Sequence, residues 1–291
     1  MGNVVEFFID GENYYSMLYQ QLVKAKDQIL ITDWWLTPEY YLKRPVSWED
    51  SQMEKYRVDK LLGELANLGV KIFILIYKEV EVGFYHNSAH TKLTLQNMDL
   101  EHKNIKVMRH PRTIVSLWSH HEKIVVIDQA VAFIGGLDIC LGRWDTQKHL
   151  LTDLPDEDGF CYHPGKDYSN DYIKGFSKVN RYTEDDLDRD TQPRMPWHDL
   201  HLMLKGDSAV DLGRHFIEYW NHAMFDKSRK VYRRQSFLRP HKAAIPLDPN
   251  RDEEKNESCT GFFSDSDQDE EEKLSPILKH QPSNNNIFKQ M

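Results

Sequence analysis

The sequence predicts an α/β fold, a mixed sheet flanked by helices. Two observations point to it. Up to about residue 135, segments of helical and strand periodicity alternate at domain-like lengths. Within them, residues 70–77 form a run rich in Ile and bounded by turn residues, the pattern of a buried strand. The elements follow in order. Residues 13–26 read as a helix, with Leu18, Leu22 and Ala25 on one face. Residues 28–35 read as a strand that Pro38 stops. Residues 54–68 read as a helix carrying Val58, Leu61, Leu62, Leu65 and Leu68 in register, and Gly69 ends it. A short helix over 89–98 and a short strand over 105–109 come next. Residues 122–127 and 131–134 read as two strands joined by the tight connection Asp128-Gln129-Ala130. Residues 153–196 change character: Asp, Gly, Tyr and Asn replace apolar runs. This reads as a long, ordered excursion near a site, or a lid. Helical periodicity returns over 208–225.

Composition narrows the function classes. The chain has 291 residues and a formal charge of −9, but residues 248–273 alone hold 11 acidic against three basic residues. The body is therefore nearly balanced, which gives no support for nucleic-acid binding. Two segments are expected: a folded domain over 1–247 and an acidic, Ser/Asn-rich disordered linker or tail over 248–291. No apolar run reaches the roughly 18 residues of a membrane span. The N-terminal residues are not a signal peptide. Cys140, Cys161 and Cys259 are too few and too odd for a disulfide framework, so an intracellular setting is expected. The basic run over 227–234 reads as a solvated face, with anionic headgroups as its alternative contact.

The chemistry concentrates at His121-Glu122-Lys123, four residues, Asp128, six residues, then Gly135-Gly136. On a strand, residues two apart face the same way, so His121 and Lys123 point into one site and His120 faces away. The glycine pair permits close approach of the backbone. The residue types suit phosphodiester chemistry without a metal. An imidazole attacks phosphorus, a lysine holds the phosphate oxygens, and a carboxylate orients the site. A second histidine is required to protonate the leaving group.

This arrangement resembles the HKD motif of the phospholipase D superfamily, H-x-K-x4-D-x6-G-G, over all its positions. The segments Phe7-Phe8-Ile9-Asp10-Gly11, Asp33-Trp34-Trp35, Gly142-Arg143-Trp144-Asp145 and Pro196-Trp197-His198-Asp199 extend the likeness over roughly residues 5 to 225. The chain is similar to the N-terminal catalytic half of an animal-type phospholipase D that also carries PX and PH domains. The resemblance implies one half of a pseudo-twofold catalytic module. It implies hydrolysis of phosphatidylcholine to phosphatidic acid and choline, with alcohol able to replace water, through a covalent phosphohistidine. By position it makes His121 the nucleophile, Lys123 the phosphate clamp and Asp128 the motif carboxylate, with Gly135, Gly136 and Asp145 in support. Asp145 would hydrogen-bond the catalytic histidine of the opposite half. Trp197, His198 and Asp199 would line the substrate mouth. No cofactor is implied for catalysis; a phosphoinositide activator, small GTPases and the cytosolic face of a membrane are implied as partners.

The family uses two such motifs and this chain shows one. His90-Thr91-Lys92 lacks the following Asp and the glycine pair, and sits in a helical pattern, so it reads as coincidence. The expectation is a fragment that needs a second half in cis. The alternatives are a single-motif homodimeric phosphodiesterase and an inactive, truncated lipid-binding product. The His198/His201 spacing reads as hydrogen-bonded polar residues and not as a metal site. At least one ring of Trp34-Trp35 is expected in the core.

Overall fold

A computed structural model of the chain describes residues 2–47, 50–79, 86–111, 119–231 and 238. Its elements are β1 (Val4–Ile9), α1 (Gly11–Leu22), β2 (Gln28–Asp33), α2 (Val58–Asn67), β3 (Lys71–Ile76), α3 (Ser88–Asn97), β4 (Ile105–Arg109), β5 (Ile124–Ile127), β6 (Val131–Gly135), β7 (Leu200–Lys205) and α4 (Asp207–Val231). Among the described residues the strands form one sheet in the order β1-β7-β6-β5-β2-β3-β4. The β2-β3-β4 side is parallel, and the β2-β5-β6-β7-β1 side is antiparallel. The sheet is mixed, as the sequence predicts.

Alternation along the central strands divides the core in two. Ile29, Ile31, Ile72, Ile74 and Val125 pack on the face with Leu18, Leu62 and Leu95 of α1, α2 and α3. Leu30, Phe73, Leu75, Ile124 and Val126 pack on the other, against Phe216 and Trp220 of α4. Both faces are covered, which is why these strands read as continuous apolar runs.

Several boundaries differ from expectation for local reasons. β2 ends at Asp33, not at 35, because the Asp33 carboxylate accepts the Trp34 N–H at 3.0 Å and Asp138 accepts the Trp35 N–H at 3.2 Å. The expected helix over 54–68 is split: a 3₁₀ segment, Ser51–Tyr56, precedes α2, and Arg57 between them is extended at ψ 141°. β5 starts at Ile124 and not at 122. Beyond Lys123, whose carbonyl accepts the Gly135 N–H at 3.3 Å, the β6 backbone leaves β5 and donates from Gly136 to Leu200. β1 and β7 are strands that the sequence reading did not assign. β7 carries the alternation Leu-His-Leu-Met-Leu directly after the segment Trp197-His198-Asp199. β1 is an edge with Val4, Val5 and Phe7 more than half exposed.

Residues 153–196 are an ordered excursion held by charge. Buried Asp167 pairs with Arg44, Lys166 with Asp186 at 2.7 Å, and Arg194 with Asp145. Paired buried charges add to a small apolar cluster in which Phe176 and Val179 meet Trp35 and Leu141. Trp35 is buried, as expected of one of the pair. Cys140 and Cys161 are free and buried. No helix among the described residues is long and apolar enough to cross a membrane. Chain contacts divide after Pro246, and the unit Leu247–Met291, with the expected acidic tail, lies outside the described residues. So do the side chains of the basic run after Lys227.

Leu62 is fully buried in the α2 face. Leu62→Ala should cost about 2–5 kcal/mol of stability, read by chemical denaturation.

Candidate active site

The site forms where β5 begins. His121 and Lys123 both line a cavity of about 400 Å³, with Ile124, Ile134, Leu212 and His215 among its other walls. His120 faces away, as expected: its Nδ1 lies 3.0 Å from the Tyr219 hydroxyl on α4, and its ring stacks on His110. Trp34, at the end of β2, walls the near side. Its ring lies 5.3 Å from the His121 ring and 5.6 Å from the Lys123 Nζ. His121 is largely exposed; its pKa is lowered, first by partial desolvation and then by the Lys123 charge. The imidazole is therefore held neutral and available as a nucleophile.

Lys123 is buried, and its ammonium is placed by two acceptors. It donates to Asp138 at 3.0 Å and to the His121 carbonyl at 3.1 Å. Asp138 is itself hydrogen-bonded to Asp33, and the two carboxyls divide one charge. Burial and the Asp138 charge push Asp33 well up, so it holds the proton. Asp138 stays ionised: its hydrogen bond with Asp33 and the charges of Lys123 and Arg143 outweigh its burial. Asp33 also accepts the Ile139 N–H at 2.9 Å, which ties β2 to the loop after the glycine pair. Arg143 approaches Asp138 at 3.9 Å and lies 3.7 Å from the Trp197 ring centroid. His86, against Trp34, is pushed down to about 4 by burial and is neutral.

This arithmetic decides the sign of the site. Lys123 and Arg143 bring two positive charges, and Asp138 brings one negative. Were both carboxyls ionised, the excess would vanish. With Asp33 protonated, these four groups keep one positive charge, offset in part by the exposed Asp171 near Arg143, and in this buried setting it acts strongly on an anion. The arrangement can bind a phosphate beside a neutral imidazole.

The model of the phospholipase D family matches residues 21–270. Phospholipase D zeta 2 of Arabidopsis thaliana is 42% identical over 249 residues, 84% of this chain and 22% of the relative. Phospholipase D2 of Bos taurus is 40% identical over 252 residues, 79% of this chain and 26% of the relative. The chain belongs to the phospholipase D family. It spans about a quarter or less of the length of these curated relatives. Among solved structures, the phospholipase D family member Nuc from Salmonella typhimurium aligns at a TM-score of 0.40 and 12% identity, over 76% of this chain and 95% of that one.

The other residues of the phospholipase D motif separate by role. Asp128 is not in the site. It sits at the far end of β5, and its carboxylate accepts the N–H groups of Lys26, Asp27 and Gln28, each at 2.9 Å. The correction has a plain cause: four strand residues lie between Lys123 and Asp128, so the motif spans the sheet. Asp138 provides the carboxylate beside Lys123. Asp145 is also corrected. It is buried, and its oxygens are taken by Arg194, the Trp197 N–H at 2.9 Å and the Thr146 N–H at 2.8 Å. Its carboxylate is enclosed by these partners within the chain.

The glycine pair does what its type suggests. A Cβ on Gly135 would strike Leu200 and His201 of β7, and one on Gly136 would strike the Asp199 carboxylate. Asp199 is half-buried beside the site, and one of its oxygens accepts the Leu200 N–H at 2.8 Å. Trp197 and His198 diverge from it. Trp197 packs under Arg143, while His198 bonds Asp10 at 2.7 Å. The expected mouth of three consecutive residues is thus split three ways. His90 lies on α3, bound to Glu39 at 2.7 Å, in no second motif. Sequence reasoning missed Asp138, Arg143 and the Asp33 proton. Asp33 and Arg143 stood inside quoted segments, but nothing in their spacing revealed the contact.

Three substitutions separate these roles. Asp128→Ala should destabilise by about 1–3 kcal/mol through loss of its charge-assisted hydrogen bonds to three backbone amides, in a denaturation experiment, while the His121 and Lys123 side-chain NMR signals of the folded protein stay in place. Asp33→Asn keeps a donor toward Asp138 but turns its NH2 against one of the two backbone N–H groups that the Asp33 oxygens accept, and should cost about 1–3 kcal/mol. Asp138→Asn strands the buried Lys123 charge and should cost about 3–5 kcal/mol, read in the same unfolding experiment.

Proposed function

We propose that this chain supplies the first catalytic half of a phospholipase D that hydrolyses phosphatidylcholine to phosphatidic acid and choline. The observation that carries the reading is a neutral, accessible His121 beside a net positive Lys123–Asp138–Arg143 group. The imidazole attacks the phosphatidyl phosphorus. A P–N bond forms, the P–O bond to choline breaks, and the choline oxygen takes a proton from a histidine of the second half. That histidine then removes a proton from water or an alcohol. The new oxygen bonds phosphorus, the P–N bond breaks, and His121 is regenerated.

Two features support a second half as partner. The described residues hold one such His–Lys pair, and the edge strand β1 presents Val4, Val5 and Phe7 to solvent. With Asp145 enclosed, Asp199 on the bare Gly136 backbone is the carboxylate positioned to orient the incoming histidine. A membrane surface supplies the substrate, and phosphoinositide and small-GTPase regulators belong to the same reading.

The test uses the native polypeptide that contains this chain. His121→Ala should lower choline release from phosphatidylcholine vesicles by at least about 10⁴-fold. Mass spectrometry of protein denatured at neutral pH during turnover should find the phosphatidyl adduct on His121. An adduct elsewhere, or turnover in His121→Ala, would overturn the reading. Because the neutral imidazole is lost as pH falls through a lowered pKa, the acid limb of kcat/KM should lie below the ordinary histidine value of about 6.5.

A further inference from the structure

A second cluster of titratable side chains lies outside the phosphate site. Asp10 stands between β1 and α1, His149 lies in the loop after Asp145, and His198 leads into β7. The Asp10 Oδ2 is 3.0 Å from the His149 Nε2, and its Oδ1 is 2.7 Å from the His198 Nδ1. The three ligand atoms lie within 4.8 Å of one another. Sheet pairing preorganises them. Ile9 pairs with Leu200, and the Asp10 N–H donates to the Asp199 carbonyl at 2.8 Å, so Asp10 and His198 are held by one register. The third ligand is fixed through the loop, where the Asp145 carbonyl accepts the Glu12 N–H at 2.9 Å.

Charge makes this more than a hydrogen-bonded trio. Asp10 is 1% exposed, and among the described residues its ion-pair partners are these two imidazoles. The Asp10 Oδ1 also accepts the Asp199 N–H at 3.4 Å, and the buried carboxylate offers a charged ligand between two ring nitrogens. A divalent cation would compensate that charge. Two imidazoles with one carboxylate suit zinc and its neighbours and not magnesium or calcium, which prefer oxygen ligands. Ligand atoms around tetrahedral zinc stand about 3.3 Å apart. The 3.0 and 2.7 Å contacts use the two different Asp10 oxygens, so the rings flank one carboxylate and the three ligand atoms close from within 4.8 Å around the ion. The His198 side chain is 70% exposed, which leaves an entry path and an open fourth position.

We infer that Asp10, His149 and His198 form a binding site for a divalent transition-metal ion, with zinc as its representative, that clamps the start of β7 beside Asp199. Binding requires His149 to carry its proton on Nδ1 and His198 on Nε2, which frees Nε2 and Nδ1 for the metal. The site takes no part in the steps at His121. It pairs His198 with His149 and not with His201, which is buried against Tyr14 at a ring distance of 3.8 Å.

The test is isothermal titration of zinc chloride into the metal-stripped full chain, with thermal unfolding measured alongside. Wild type should take up one zinc per chain and melt at a higher temperature with zinc. His198→Ala and His149→Ala should each weaken binding about tenfold or more and lose the thermal gain. His222→Ala, an exposed histidine beside Asp226 on α4, should behave as wild type. His198→Ala decides the matter even if His149→Ala unfolds, because His198 is exposed. No stoichiometric uptake, equal affinity in His198→Ala and His222→Ala, or magnesium binding as tightly as zinc would each overturn the assignment.

Discussion

The Lys123–Asp138 ion pair is the contact on which the site rests. It is buried on both sides, at 3.0 Å, and such a pair survives only when every remaining polar valence is met. Here those valences connect three chain segments. Asp138 accepts from Trp35, Asp33 accepts from Trp34 and Ile139, and Lys123 donates to the His121 carbonyl. The end of β2, the start of β5 and the loop beyond Gly136 are thereby fixed together. His121 inherits its position from that knot, and its lowered pKa from the ammonium within it.

The proton on Asp33 is the less obvious part of the same constraint. Two carboxyls this close and this buried do not both ionise. Asp138 keeps the charge because Lys123 and Arg143 face it, and Asp33 takes the proton. The result is a positive excess aimed at the mouth without an unpaired buried cation. Burial and pairing thus set the electrostatics of the site more than any single residue type.

The same logic of paired charge shapes the molecule away from the sheet. Residues 153–196 lack apolar runs, yet Lys166 and Asp167 are almost completely buried. Arg44, Asp186, Arg194 and Asp145 supply their counter-charges and those of their neighbours. Asp145 belongs to this framework through Arg194 and the Trp197 N–H. Composition identifies such a stretch as ordered but not which charges meet.

Much was legible in the chain itself. Apolar patterning placed β3, α2, α3 and β4, and the His121-x-Lys123 spacing with Gly135-Gly136 marked the candidate site. Period two put His120 on the far face, where it meets Tyr219. Asp128 showed the limit. Its place in the motif is a fact of sequence, but strand length carried it to the other end of β5 and made it a cap for backbone amides.

What the sequence by itself determined is whatever depends on neighbours along the chain: element types, the two faces of the central strands, and the residues that open β5. Only the tertiary structure decided which distant groups meet. Asp33 meets Asp138 because β2 ends beside the loop after β6, and Asp10 meets His198 because β1 pairs with β7. A carboxylate's role is set by the charge and solvent around it, and those surroundings come from residues far away in the chain.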